Sequence, residues 1–195
     1  MAEIDKILKK MAAHGMRIPD EGVNIQIEGA VGILKEVLGG LLQLRGESAV
    51  WLPEYADVAS WLEGNNGKGL FMFGNCGRGK PLLARYVLPA ILLEYAGRVV
   101  SCYDSQEMNE KIDAVLKKKI ICIDDVGTED TLSVYGNKRV PFYEVVDAAE
   151  KESKLLIATS NLNSEQLLNK YGERTMERIV ATTRRVVFEG RSLRK

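Results

Sequence analysis

The stretch "GLFMFGNCGRGKPLLARYV", residues 69–87, decides how this chain is to be read. Leu70 to Phe73 form an apolar run that leads into Gly74-Asn75-Cys76-Gly77-Arg78-Gly79-Lys80, the spacing of a phosphate-binding loop. Glycines at 74, 77 and 79 let the backbone curl so that several N–H groups point inward. The helix that follows adds its positive end, and Lys80 is placed to bridge the β- and γ-phosphates. Contacts to ATP or ADP are therefore expected from Gly74, Asn75, Cys76, Gly77, Arg78, Gly79, Lys80, Pro81 and Leu82. A strand before the loop and a helix after it separate this reading from an ordinary glycine-rich turn.

One position departs from the pattern. Pro81 stands where Ser or Thr is expected. The first turn of a helix tolerates proline, because that N–H has no intrahelical partner. The chemistry does not tolerate it equally. Proline offers no hydroxyl to Mg²⁺ and no N–H to a phosphate. One hydrogen bond to a charged group is worth about 1.5–3 kcal/mol, or about ten- to 150-fold in affinity. The expectation is weak nucleotide binding that depends little on Mg²⁺, with slow hydrolysis or none.

Downstream, "KKIICIDDVGTED" runs four apolar residues into Asp124-Asp125, 44 residues after Lys80 and one strand–helix unit later. An acid at a strand's end is placed to hold Mg²⁺, the role expected of Asp124. Asp125 is placed to orient or deprotonate an attacking water. Taken alone, such a run is an ordinary exit from a strand; beside a phosphate loop it gains meaning. "LLIATSNLN" ends a strand at Thr159-Ser160-Asn161, where a polar tip can hold the water or sense the γ-phosphate, or else cap a helix. In "YGERTMERIV", Arg174 and Arg178 lie four apart and share a helix face, free to reach outward or to pair with Glu173 and Glu177.

The pattern around these motifs alternates strand and helix. Strands are expected at Gly69–Phe73, Arg98–Tyr103, Ile120–Ile123, Lys154–Thr159 and Arg184–Phe188. Helices are expected over residues 80–95, kinked at Pro89, over 106–116 and 142–151, and near 164–170 and 173–180. The strands are apolar throughout rather than alternating, which calls for a parallel sheet covered on both faces. Ahead of this core, residues 3–14 read as an amphipathic helix with Ile4, Ile7, Leu8 and Met11 on one face. A second helix is expected from Gly29 to Leu44 and a third from Glu54 to Leu62, with 21–28 ambiguous. A division is expected near residue 48, giving a helical segment over 1–47 and an α/β core over 48–195.

Bulk composition narrows the class. The chain has 195 residues, 46% hydrophobic and 28% charged, with a formal net charge of zero, so bulk charge points to no nucleic-acid or membrane partner. From Glu173 to Lys195 there are seven Lys/Arg against three acids, a basic end of the kind often found on a solvated face. Three cysteines, Cys76, Cys102 and Cys122, make no CxxC pair and argue for a reducing compartment. With no apolar signal segment in Met1–Lys10 and no apolar run of membrane-spanning length, a cytoplasmic address is expected.

Phosphate loop, Asp-Asp pair, "TSN", "YGER…ER" and a terminal G-x-S-x-R occur in one order, and on these the chain resembles the bacterial helicase-loader ATPases. These are the DnaC/DnaI group of the AAA+ superfamily, with the transposition protein IstB as a relative. The resemblance covers roughly residues 50–195. It implies a three-layer α/β P-loop AAA+ core with a parallel sheet of order 5-1-4-3-2, a short helical N-terminal extension and no separate lid domain. It also implies an ATPase of DNA replication that loads or regulates a DnaB-like replicative helicase, with single-stranded DNA as a further partner. By motif, Lys80 is the loop lysine, Asp124 the magnesium acid, Asp125 the residue in the catalytic position and Asn161 the first sensor. Arg178 is the finger that reaches a neighbouring subunit, so that face implies self-assembly, and Arg194 is the second sensor. An IstB-like transposition helper and a non-hydrolysing adaptor are the alternatives, the second favoured by Pro81. One departure bears on DNA: only about fifteen residues, Ser105–Lys119, separate the second and third strands, where the loader family carries an extra helix associated with single strands.

Overall fold

The computed structural model describes residues 2–16, 18, 22–129, 132–134 and 137–193. Helix α1 (Ala2–Ala13) precedes α2 (Ala30–Gln43) and α3 (Glu54–Glu63). Strand β1 (Gly69–Gly74) then opens the sheet and feeds α4 (Lys80–Leu82), a π-helical turn (Leu83–Val87) and α5 (Leu88–Ala96). Next come β2 (Ser101–Asp104), α6 (Ser105–Glu110), α7 (Ile112–Val115) and β3 (Ile120–Asp124). A hairpin of β4 (Leu132–Val134) and β5 (Asn137–Arg139) leads to α8 (Pro141–Lys151), β6 (Leu155–Ser160), α9 (Ser164–Tyr171), α10 (Glu173–Thr182) and β7 (Thr183–Phe188).

Five strands pair in parallel in the order β2-β3-β6-β1-β7. Counting only these strands along the chain, the order is 5-1-4-3-2, as expected. Side chains alternate across the sheet. Leu70, Met72, Cys122, Ile157 and Phe188 face a layer of α2, α3 and α5. Phe71, Phe73, Ile121, Ile123 and Ala158 face α6 to α10 through Met108, Phe142, Val145, Leu167 and Ile179. Burial on both sides is why these strands lack a polar stripe.

The differences from the sequence reading have local causes. The helix expected over 80–95 is irregular just ahead of Pro89. The preceding backbone widens into the π-helical turn, where Leu88 N–H reaches Leu83 O, and the helix runs on. The single helix expected over 106–116 divides at Lys111, whose φ of −118° is not helical. The hairpin β4–β5 went unforeseen, because three-residue strands carry too little alternation to register. Residues 22–27, ambiguous in sequence, are extended. Asn65, itself buried, accepts from Ile25 N–H at 2.8 Å and donates to Val23 O at 2.9 Å. Val23, Ile25, Ile27, Leu34 and Leu38 thereby join the same core as the sheet. Helix α1 differs: Ile4 is 62% and Ile7 52% exposed.

A candidate nucleotide-binding site

The phosphate loop leaves β1 at the carboxyl end of the sheet, the edge where open α/β folds place their ligands. Gly74 has φ 115°, and a Cβ there would sit 2.6 Å from Phe188 O; Gly79 has φ 84°, and a Cβ there would lie 2.5 Å from the Tyr55 hydroxyl. Both positions need glycine for backbone conformation and for space. Gly79 caps α4, and the first helical bond is Leu83 N–H to Gly79 O at 2.9 Å. Pro81 lies ahead of that bond and costs the helix nothing.

Two supports hold the loop from outside. The buried Arg78 side chain joins the loop to α3 and to the segment after β7. Its Nε donates to Glu54 Oε1 on α3 at 2.5 Å, and its Nη1 to Arg191 O at 3.0 Å. The Tyr55 hydroxyl donates to Arg78 O at 3.0 Å. Burial pushes the Tyr55 hydroxyl up to about 12, so it stays a donor at neutral pH. From the other side the segment after β7 packs on the loop: Asn75 N–H reaches Phe188 O at 2.7 Å, and Leu193 N–H reaches Gly77 O at 2.8 Å. Lys80 is buried, and its ammonium donates to Gly74 O at 2.9 Å and Asn75 O at 2.7 Å. Cys76 is the exposed thiol on this loop.

β6 lies between β1 and β3, so its tip separates the loop from the acids. Thr159 ties the two together. Its hydroxyl donates to Asp124 Oδ1 at 2.6 Å and accepts from Asp125 N–H at 2.9 Å. Asp125 has φ 59°, an uncommon value for a residue with a side chain. Thr159 and the Thr128 hydroxyl on Asp125 O hold it there. Asp125 Oδ1 accepts from Asn161 Nδ2 at 2.7 Å. The capping function that competes for an Asn here falls to Asn163, whose side chain and that of Gln166 close a capping box on α9. Ser160 donates to Val126 O at 2.5 Å and completes the joint between β3 and β6.

Thr159→Val is expected to orphan two of these groups at once, at about 1–3 kcal/mol each. Thermal unfolding measures this. A melting temperature equal to wild type would show that the bridge contributes nothing.

Asp124 has a second neighbour that the sequence reading missed. Arg85, on the π-helical turn, brings Nη1 to 3.7 Å from Asp124 Oδ2. Beside them Cys102 and Cys122 stand in register on β2 and β3. The Cys122 thiol donates to Ala84 O at 3.2 Å, and its contact with Cys102 and its burial hold it well above the usual thiol range. The implied Mg²⁺ is tested by these neighbours. Pro81 supplies no hydroxyl, and of the two Asp124 oxygens one accepts from Thr159 and the other faces a guanidinium. Among the described residues no cluster of three His, Cys, Asp or Glu side chains forms a metal cage. This donor set does not fit a magnesium ion held through a loop hydroxyl and a free carboxylate.

The arginines near the end of the chain go elsewhere. Arg178 lies in the helical layer of α8 and α10. It donates to the Tyr143 hydroxyl at 2.8 Å, pairs with Glu150 at 2.9 Å and contacts Asp147. Arg174 stays exposed over the Tyr143 ring, 6.0 Å from its centre. Neither takes Glu173 or Glu177 in these contacts. Arg194 lies outside the described residues. Another buried acid, Glu129, accepts from Gly127 N–H at 2.7 Å and from the Tyr171 hydroxyl, joining the loop after β3 to α9. Among the described residues no helix is long and apolar enough to cross a membrane.

No family model and no curated protein matches the sequence. Solved structures match in fold. The crystal structure of DnaI aligns with a TM-score of 0.53 at 22% sequence identity, over 84% of this chain and 96% of DnaI. The DnaC helicase loader gives 0.50 at 22% identity, over 63% of this chain and 79% of that one. Domain III of DnaA, the replication initiation protein of Thermotoga maritima, gives 0.53 at 18% identity, over 72% and 65%. The chain is thus similar in fold to DnaI, the DnaC helicase loader and domain III of DnaA.

Proposed function

We propose that this chain is a nucleotide-binding AAA+ protein of DNA replication that loads or regulates a replicative helicase, its grip on the partner changing with the nucleotide bound. The observation that carries the reading is the braced loop Gly74–Lys80 beside the linked set Asp124, Thr159, Asp125 and Asn161 on neighbouring strand tips. A glycine-rich loop that opens a helix and carries a lysine suits a polyphosphate. A carboxylate and an amide joined at 2.7 Å suit a water that must be oriented for attack. DnaC supports the helicase part by analogy of fold. Hydrolysis, where it occurs, falls to Asp125 and Asn161, and Lys80 and the loop amides hold the phosphates. A trans role for Arg178 would require a neighbour's phosphate to displace Asp147 and Glu150 from its guanidinium. Arg194 and single-stranded DNA remain expectations of the resemblance.

In the loader family that the chain resembles, an N-terminal segment docks on the helicase, and in this reading α1 is the part of residues 1–47 that does so here. Helix α2 and the extended segment before it are packed into the core, whereas Ile4 and Ile7 stand in solvent. Pairs of exposed aliphatic residues at helical spacing suit an apolar groove on a partner. The test uses the full chain with Ile4→Glu and Ile7→Glu together. Capture of the replicative helicase from its source organism in ATP is expected to fall by tenfold or more, about the effect of 1.4 kcal/mol. The melting temperature should hold, since exposed substitutions cost about 0.5 kcal/mol or less. Capture at the wild-type level would sink the docking assignment.

A reading as a hydrolysis-impaired adaptor is favoured by one specific pair of observations, Pro81 on the loop and Arg85 against Asp124.

A further inference from the structure

We propose that Arg85 takes the place of a magnesium ion beside Asp124, so that this chain holds a nucleotide's β- and γ-phosphates with two protein cations, Lys80 and Arg85, and without a divalent metal. The proposal rests on the reading of residues 74–80 as a nucleotide loop.

Three observations converge on Arg85. The first is its position. It follows Pro81 by four residues, and residues at that spacing lie on nearly the same helical face. Helical side chains lean toward the N-terminus and cover the turn before their own Cα. A side chain at that spacing leans back toward the turn that Pro81 begins, where a Ser or Thr hydroxyl would meet a metal. The second is its partner. Nη1 stands 3.7 Å from Asp124 Oδ2, close enough to balance charge and too far for a good hydrogen bond. The fork keeps its donors for another acceptor, and the side chain is 33% exposed while that of Asp124 is 9% exposed. The third is the pairing of a loss with a gain. The chain lacks the loop hydroxyl and has a permanent cation beside the remaining magnesium acid.

The chemistry follows from charge and shape. A guanidinium stays charged at any physiological pH, and its planar fork matches two phosphate oxygens at once. It brings one unit of charge where Mg²⁺ brings two. Asp124 offsets that unit, so the phosphates gain less than from a metal. Nucleotide binding should therefore be modest and indifferent to magnesium. A metal that polarises the leaving phosphate would be lacking, in keeping with slow turnover.

The experiment titrates ATP and ADP into the full chain by calorimetry, in excess magnesium chloride and in excess EDTA. Wild type is compared with Arg85→Gln, Arg85→Lys and the double variant Pro81→Thr/Arg85→Gln, each checked by thermal melt. Wild-type affinity should agree between the two buffers within about threefold. Arg85→Gln should lose about tenfold or more in EDTA, the loss of a charge-assisted hydrogen bond, and Arg85→Lys should regain most of it. The double variant should bind about tenfold more tightly with magnesium than without. Tightening of the wild type by magnesium of about tenfold or more would overturn the proposal. So would an Arg85→Gln protein that binds like wild type in EDTA. If the wild type binds neither nucleotide in either buffer, the nucleotide reading of the loop fails, and this proposal with it.

Discussion

Arg78→Ala is expected to lower the free energy of unfolding by about 3–5 kcal/mol, the cost of breaking one side of a buried ion pair. The Arg78 and Glu54 side chains are 8% and 7% exposed, and Nε donates to Oε1 at 2.5 Å. Truncation would leave a carboxylate in the interior with neither water nor a partner. The pairing keeps the guanidinium more firmly charged than usual, first through its hydrogen bond to Glu54. Set against a total of about 5–15 kcal/mol for a typical domain, the loss is large. For a chain of this size it corresponds to roughly 6–20 °C in melting temperature. The double variant Arg78→Met/Glu54→Leu should recover most of it, because removing both charges removes the stranded one. A single variant that melts within about 2 °C of wild type would mean that the pair is solvated in solution, since that shift is worth only about 1 kcal/mol or less. The effect reaches the site as well. The same guanidinium holds Arg191 O, so one side chain joins the phosphate loop, α3 and the segment after β7.

Lys80→Ala should abolish useful nucleotide binding. One charge-assisted bond is worth about ten- to 150-fold in affinity, and an ammonium between the β- and γ-phosphates makes more than one. Cys76 offers a readout that does not depend on turnover. It is exposed on the loop, whereas Cys122 is buried and Cys102 half-buried. With ATP at ten times the wild-type Kd, alkylation of Cys76 should slow about elevenfold, by mass action. Lys80→Ala should show no protection at that concentration. Full protection in the variant would mean that the lysine does not meet the phosphates. The ammonium donates to Gly74 O and Asn75 O and lies 5.9 Å over the Phe188 ring, so a thermal melt accompanies the protection assay.

Most of the sheet was legible because its signal is local. Runs such as Leu70–Phe73 and Ile120–Ile123 have no polar stripe, and that alone calls for a layer on each face. The hairpin β4–β5 and the division of the 106–116 helix at Lys111 were not legible, for they turn on a few backbone angles that composition hardly biases. Residues 22–27 are ambiguous in sequence and become part of the core through Asn65, forty residues from Ile25 along the chain, and through Ile27 N–H on Leu62 O.

The site divides in the same way. Gly74, Gly79, Lys80 and Asp124 stand in a spacing that a reader of the sequence alone can name, and the positive φ of the two glycines bears out the turn it calls for. Pro81 is equally plain there, as a missing hydroxyl. Thr159 and Arg85 are different. Thr159 is one hydroxyl in a strand end, and Arg85 one cation in a helix, until β6 is laid beside β3 and the π-helical turn is packed across them. Hydrogen bonds and ion pairs act over a few ångströms. Which of many polar side chains come within that range is decided by strand order and helix packing. The sequence by itself determined the fold class, the phosphate loop and the absence of its hydroxyl. The tertiary structure alone decided which cation stands beside Asp124, because that contact exists only once the π-helical turn is packed against β3.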